Sequence, residues 1–155
     1  MNETEFAERV QQLRRKLYAA AYMYLGREAD ALEAVDEAVY RALISLKRLK
    51  QPEYFATWLT RILINVCKDE LKRRSRTVPL SELPESAAEE LDALPLKDAI
   101  ARLPIELREV LIFHHFGGLT VSETARALGI PQGTAATRLR RALSLLRLEL
   151  TEEKV

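Results

Sequence analysis

Between residues 126 and 147 the chain carries Arg126, Arg138, Arg140, Arg141 and Arg147 without a single Asp or Glu. Gln132, Thr134, Thr137, Arg138 and Arg141 are presented outward by the first turns of a helix that starts after Pro131. Side chains of these types donate hydrogen bonds to phosphate oxygens and to base edges, with arginine the strongest. A carboxylate among them would repel a phosphate backbone across a Debye length of about 8 Å, which accounts for the missing acids.

A second donor strip runs through "PEYFATWLTRILINVCKDELKRR", where Thr57, Arg61, Asn65, Lys68 and Lys72 follow at spacings of four, four, three and four. On a helix those positions share a face, which can track a phosphate backbone while Asn65 reads a base edge bidentately. Trp58 could stack on a base, but its relation to Ile62 one turn on favours core packing. A third set is acidic: Glu33, Asp36 and Glu37 sit at i, i+3 and i+4. Like charges so placed weaken an isolated helix by tenths of a kcal/mol, so the face either solubilises the helix or awaits a basic partner. His114 and His115 are adjacent, and neighbouring helical positions point about 100° apart, so they do not chelate a metal together. One is expected in the core and one at the surface. Cys67, the sole cysteine, reads as a packed side chain in a reducing compartment.

These faces require helices to hold them. Phe6, Val10, Leu13, Leu17, Ala20 and Tyr24 define a first amphipathic helix that Gly26 ends. A second, over 30–46, places Leu32, Val35, Val39, Leu43 and Leu46 on one side. A third begins near Pro52 and buries Phe55, Trp58, Leu59, Ile62, Val66 and Leu71. Further on, Thr120 and Glu123 form a capping box for a helix through Leu128, Gly129 stops it, and Pro131 opens the next. A helix, a glycine turn and a second helix make a helix-turn-helix, whose second helix enters the major groove by its N-terminal end. Leu139, Leu143, Leu146 and Leu150 pack that helix against its neighbours.

Among the 155 residues, few glycines and aromatics beside many Ala, Leu, Glu and Arg point to an all-α protein. The net charge of +1 hides an uneven distribution. Two basic ends, the later one holding the helix-turn-helix and the earlier one closing with Lys72, Arg73, Arg74 and Arg76, flank an acidic stretch with Glu82, Glu85, Glu89, Glu90 and Asp92. That stretch also holds Pro79, Pro84 and Pro95 and no apolar period, so residues 77–95 read as a flexible acidic linker between small helical domains at 1–76 and 96–155. No apolar run approaches the roughly 20 residues of a membrane span and the N-terminus lacks a signal-peptide pattern, which points to the cytoplasm.

"ALEAVDEAVYRAL", "TWLTRILINVCKDELKRR" and "LPIELREVLIFHHFGGLTVSETARALGIPQGTAATRLRRAL" together resemble the extracytoplasmic-function sigma factors. These are the small two-domain subunits that give bacterial RNA polymerase its promoter specificity. The resemblance covers nearly the whole chain except the linker. It implies an alternative sigma factor serving a stress or envelope response, without catalytic residues, cofactor or metal. It implies that Glu33, Asp36 and Glu37 meet the beta-prime clamp of core polymerase. Arg61, Asn65, Lys68 and Lys72 would then read the −10 element, and Gln132, Thr134, Thr137, Arg138 and Arg141 the −35 element. The loop over 47–54 falls where the family captures an extruded −10 base. The beta flap and an anti-sigma factor, membrane-anchored in many relatives, complete the implied partners. The family's usual "GTVKSR" has become "GTAATR", so Ala136 stands where a lysine would add a DNA contact.

Two other classes make different demands. A regulator that binds DNA without polymerase needs a receiver with alternating strands, and the first half has no such pattern. A helical metal hydrolase using Glu33, Glu37 and His114 lacks a Glu-x-x-His pair at chelating spacing.

Overall fold

Asn2 caps the first helix, α1 (Glu3–Leu25), by accepting the Glu5 amide at 2.8 Å, and Gly26 closes it with a bond back to the Tyr22 carbonyl. In a computed structural model, which describes residues 1–77 and 94–153, α1 packs against α2 (Glu28–Ile44) and α3 (Phe55–Thr77). Two short 3-10 turns, Leu46–Arg48 and Pro52–Tyr54, lead from α2 into α3. The second half holds α4 (Leu94–Ala101), α5 (Ile105–Leu111), a π-helical turn Ile112–Phe116, α6 (Val121–Leu128) and α7 (Gln132–Glu153). Among the described residues every regular element is helical, as composition indicated. The expected linker over 77–95 lies outside the described residues from 78 to 93.

The buried side of α2 is not the leucine stripe that its periodicity suggested. Ala31, Ala34, Val35, Ala38 and Ala42 face inward, while Leu32 is 49 % and Leu43 41 % exposed. A methyl-sized stripe lets α2 approach α1 and α3 closely and leaves the leucines for another surface. In α3 the core is Phe55, Leu59, Leu63, Ile64, Val66 and Cys67, with Trp58, Ile62 and Leu71 only half-buried. Leu63 and Ile64 are fully buried although the apolar pattern singled out neither. Trp58 lies against the Phe55 ring at 6.0 Å, which suits packing over stacking on a base. In α7 the inward residues are Ala135, Ala142 and Leu146, with Leu143 45 % exposed.

The two halves are packed against one another and share one continuous core. Tyr24 of α1 meets Phe113 of the π turn with ring centroids 5.9 Å apart, both side chains buried. The buried amine of Lys97 in α4 donates to the Gly26 carbonyl at 2.9 Å, satisfying an orphan group at the end of α1. The same amine lies 4.8 Å from the Tyr22 ring centroid, a cation–π contact. Farther along the seam, α6 rests on α3.

Candidate nucleic-acid interface

The helix-turn-helix forms as its local chemistry dictates. Thr120 accepts the Glu123 amide at 3.0 Å, and the Glu123 carboxylate accepts the Thr120 amide at 2.9 Å. This reciprocal pair satisfies two amides that α6 would otherwise leave open. Gly129 adopts φ 71°, a left-handed conformation that costs glycine nothing and other residues about 1–2 kcal/mol. The chain then reverses into α7. There Gln132, Thr137 and Arg141 are exposed and Thr134 and Arg138 half-buried, all within the first three turns. Among the described residues no carboxylate comes within ion-pair distance of Arg138, Arg140 or Arg141. Thr137 accepts a long contact from Arg140 at 3.5 Å. Ala136 is half-buried.

On α3, Arg61, Asn65 and Lys72 are exposed and Lys68 is half-exposed, so four of the five strip residues reach the surface. From Thr57 to Lys72, fifteen steps of 1.5 Å, the strip is about 22 Å long. Thr57 departs from expectation: it is 8 % exposed and its hydroxyl donates to Glu123 Oε2 at 3.3 Å. Its burial comes from α6 lying across the start of α3, a long-range contact that helical spacing cannot reveal. Lys68 is also engaged, its amine 3.3 Å from the Glu109 carboxylate of α5. Tyr54, in the loop before α3, carries the Arg126 guanidinium over its ring at 5.3 Å.

The acidic face of α2 is exposed at Glu33, Asp36 and Glu37 and borders a groove shared with Asp69 and Glu70 of α3. Basic neighbours relieve the crowding: Arg14 lies 3.2 Å from Asp36, Arg41 lies 2.9 Å from Glu37, and the Arg41 fork comes 3.8 Å from Asp69. Glu70 accepts both Nε and Nη2 of Arg73, and that bond holds its carboxyl below the usual range.

The basic run at the end of α3 is not uniform. Arg74 is buried, donating to the Leu25 carbonyl at 2.7 Å and to Asp30, so it ties α3 to the corner between α1 and α2. Charge alone could not single it out. Its place seven residues after Cys67, two turns along the buried face, was the available signal. Cys67 is fully buried, and burial pushes its thiol up to about 12. His114 is half-buried and its Nδ1 donates to the Leu119 carbonyl at 2.7 Å, while exposed His115 meets the edge of Phe116. Among the described residues no three metal-ligating side chains cluster.

Residues 9–77 match the Sigma-70 region 2 family and residues 93–146 the Sigma-70 region 4 family. The sigma factor SigV of Bacillus subtilis is 29 % identical over 88 % of this chain and 85 % of its own. An RNA polymerase sigma-E factor of Streptomyces antibioticus is 30 % identical over 78 % of this chain and 71 % of its own. The sigma factor RpoE of Bartonella quintana, solved in complex with the anti-sigma factor NepR, superposes with a TM-score of 0.82 at 22 % identity. That alignment covers 95 % of this chain and 97 % of that one, and it shows the shared fold. The chain belongs to the sigma-70 family, among the extracytoplasmic-function sigma factors of RNA polymerase. It is a promoter-recognition subunit of the transcription machinery.

Proposed function

We propose that this sigma factor uses the three faces described above for three separate tasks. Residues 1–76 form the unit that reads the −10 element through Arg61, Asn65, Lys68 and Lys72 and binds the core enzyme through Glu33, Asp36 and Glu37. Residues 96–155 form the unit that reads the −35 element through Gln132, Thr134, Thr137, Arg138 and Arg141. Residues 77–95 tether the two. The chain performs no catalysis of its own and needs no cofactor; it works in the cytoplasm, where polymerase is. An anti-sigma factor restrains it, as NepR is found with RpoE, and a stress or envelope signal releases it.

The observation that carries this reading is the α7 surface: five donors on the opening turns of the second helix of a helix-turn-helix, with no acid beside them. An apolar groove of about 380 Å³ on the same unit, lined by Leu96, Ile100, Leu111, Phe116, Leu143 and Leu146, supports a further contact with the core enzyme at the beta flap. Run-off transcription with purified core polymerase on a genomic promoter library tests the whole assignment. Defined starts that depend on the chain, with paired upstream elements, are expected. A chain that footprints promoters alone and adds nothing to core polymerase would establish a polymerase-independent regulator instead.

A further inference from the structure

Gly133, Thr137, Arg140 and Ser144 follow one another on α7 at spacings of four, three and four, and all four are exposed. At about 100° per residue this row lies roughly opposite Ala135, Ala142 and Leu146, the residues that α7 buries. Arg138 is placed differently. The same geometry puts it within about 80° of those buried residues, and it is half-buried. Arg138 thus leaves the helix sideways, whereas Arg140 leaves it along the exposed ridge.

Two features of the ridge point to a ligand. Gly133 holds an exposed helical position where alanine would be the better helix former, yet a Cβ there would meet no atom from elsewhere in the chain within 4 Å. Nothing inside the protein asks for a glycine; a surface brought up against the helix backbone does. Beyond it the ridge offers two short hydroxyls and a single long side chain, Arg140. Its Nη2 donates to the Thr137 hydroxyl at 3.5 Å, a contact that inclines the fork toward the N-terminal end of α7. Among the described residues no carboxylate comes within ion-pair distance of it.

From this arrangement we infer that Arg140, which lies outside the set named above for the −35 element, sets specificity there by pairing its fork with N7 and O6 of one guanine. The inference rests on the proposed role of α7. The chemistry selects the base. Arginine binds guanine bidentately in the major groove, while adenine presents an amino donor where guanine has O6. Two parallel bonds require a planar fork, which lysine lacks. Thr137 braces that fork and so acts as a positioning residue. Arg138 and Arg141, on the flank beside the ridge, reach phosphates, which fix register but carry no base information.

The test is run-off transcription by core polymerase carrying the full-length chain, on a promoter library randomised across the −35 element. The parent is expected to show one position at which guanine exceeds every other base by about tenfold or more. Arg140→Ala should level that position and leave the preferences at the others in place. Arg138→Ala should instead lower all templates together. Arg140→Lys keeps the charge without the fork, so it should retain most of the salt dependence yet lose most of the guanine preference. Thr137→Val removes the hydroxyl at nearly constant shape and should reduce the same preference by about twofold or more. An equal fall on all templates would overturn its positioning role. If Arg140→Ala leaves every position as selective as before, or depresses all templates equally, Arg140 reads no base and the inference is overturned, with the −35 role of α7 intact. A levelled position that favours another base in the parent overturns the guanine assignment. A parent indifferent to the −35 sequence removes the role of α7, and the inference with it.

Discussion

The α3 strip and the α7 face are both rows of donors on a helix, yet the structure treats them differently. On α3 the terminal threonine and a central lysine are committed to carboxylates from the other half. On α7, Arg138, Arg140 and Arg141 meet no acid among the described residues. The difference follows from position. The strip on α3 starts where α6 crosses it, so the same seam that buries apolar surface also brings Glu123 and Glu109 within reach. On α7, Gln132, Thr137, Arg140 and Arg141 are exposed. A donor face next to a seam can be controlled by that seam, whereas one remote from it depends only on what it binds.

The most forceful way to break this contrast is at the seam's centre. Phe113 is fully buried against Tyr24, and Phe113→Ala should cost about 3–5 kcal/mol through lost contacts and the cavity left behind. Chemical denaturation should report that loss, and the exchange protection of α3 near Thr57 should fall with it. A protein as stable as the parent would show that the halves do not depend on this contact.

Next in size is Arg138→Ala. Removing one arginine from the acid-free face should weaken −35-dependent initiation by about 1–3 kcal/mol and lower the salt slope by about one, while binding to core polymerase holds. Because Arg138 has no ion pair to lose among the described residues, its removal should leave the melting temperature nearly unchanged, unlike a change on the engaged strip. A large drop in melting temperature would refute the contrast.

Smaller effects sharpen it. Thr120→Ala removes half of the capping box and should destabilise α6 by about 1 kcal/mol, read from the urea midpoint. Since Glu123 serves both the cap and Thr57, amide exchange at the start of α3 should rise too. Cys67 gives a pH test. Its folded thiol is pushed up to about 12 from an ordinary value of 9.0, so the unfolded chain releases the proton first. Stability from this group is complete below pH 9, declines as pH rises, and is spent above about 12, with a loss of about 1 kcal/mol by pH 10. Cys67→Ala should flatten that part of a stability-against-pH curve.

How much of this was legible in the sequence depended on the range of the interaction. Local chemistry was readable: Gly26, the Thr120 and Glu123 pair and Gly129 end and begin helices where their side chains and backbone freedom require. The outward set on α7 was readable because an absence of acids over a whole stretch does not need a fold to interpret it. Less readable was which apolar face turned inward. In α2 the larger leucines lost to alanines because proximity between helices, not hydrophobicity alone, selects the buried side. Thr57 and Lys68 looked like neighbours on one exposed strip. Their partners lie 66 and 41 positions away, at Glu123 and Glu109, distances over which residue spacing carries no information. Arg74 was hidden for the opposite reason, inside a run of like residues whose solvated members set its apparent character.

Arg74 and Lys97 have a joint consequence for how the tether can vary. One grips the carbonyl of Leu25 and the other that of Gly26, successive peptide groups whose Cα atoms are about 3.8 Å apart. The polypeptide thus departs from and comes back to a single anchorage. Lengthening the segment between would add little closure cost, about 0.6 kcal/mol for each doubling, while extending how far the two units can travel once released. Natural selection could therefore retune the stride of such a protein along its promoter by insertion alone, without touching either folded half.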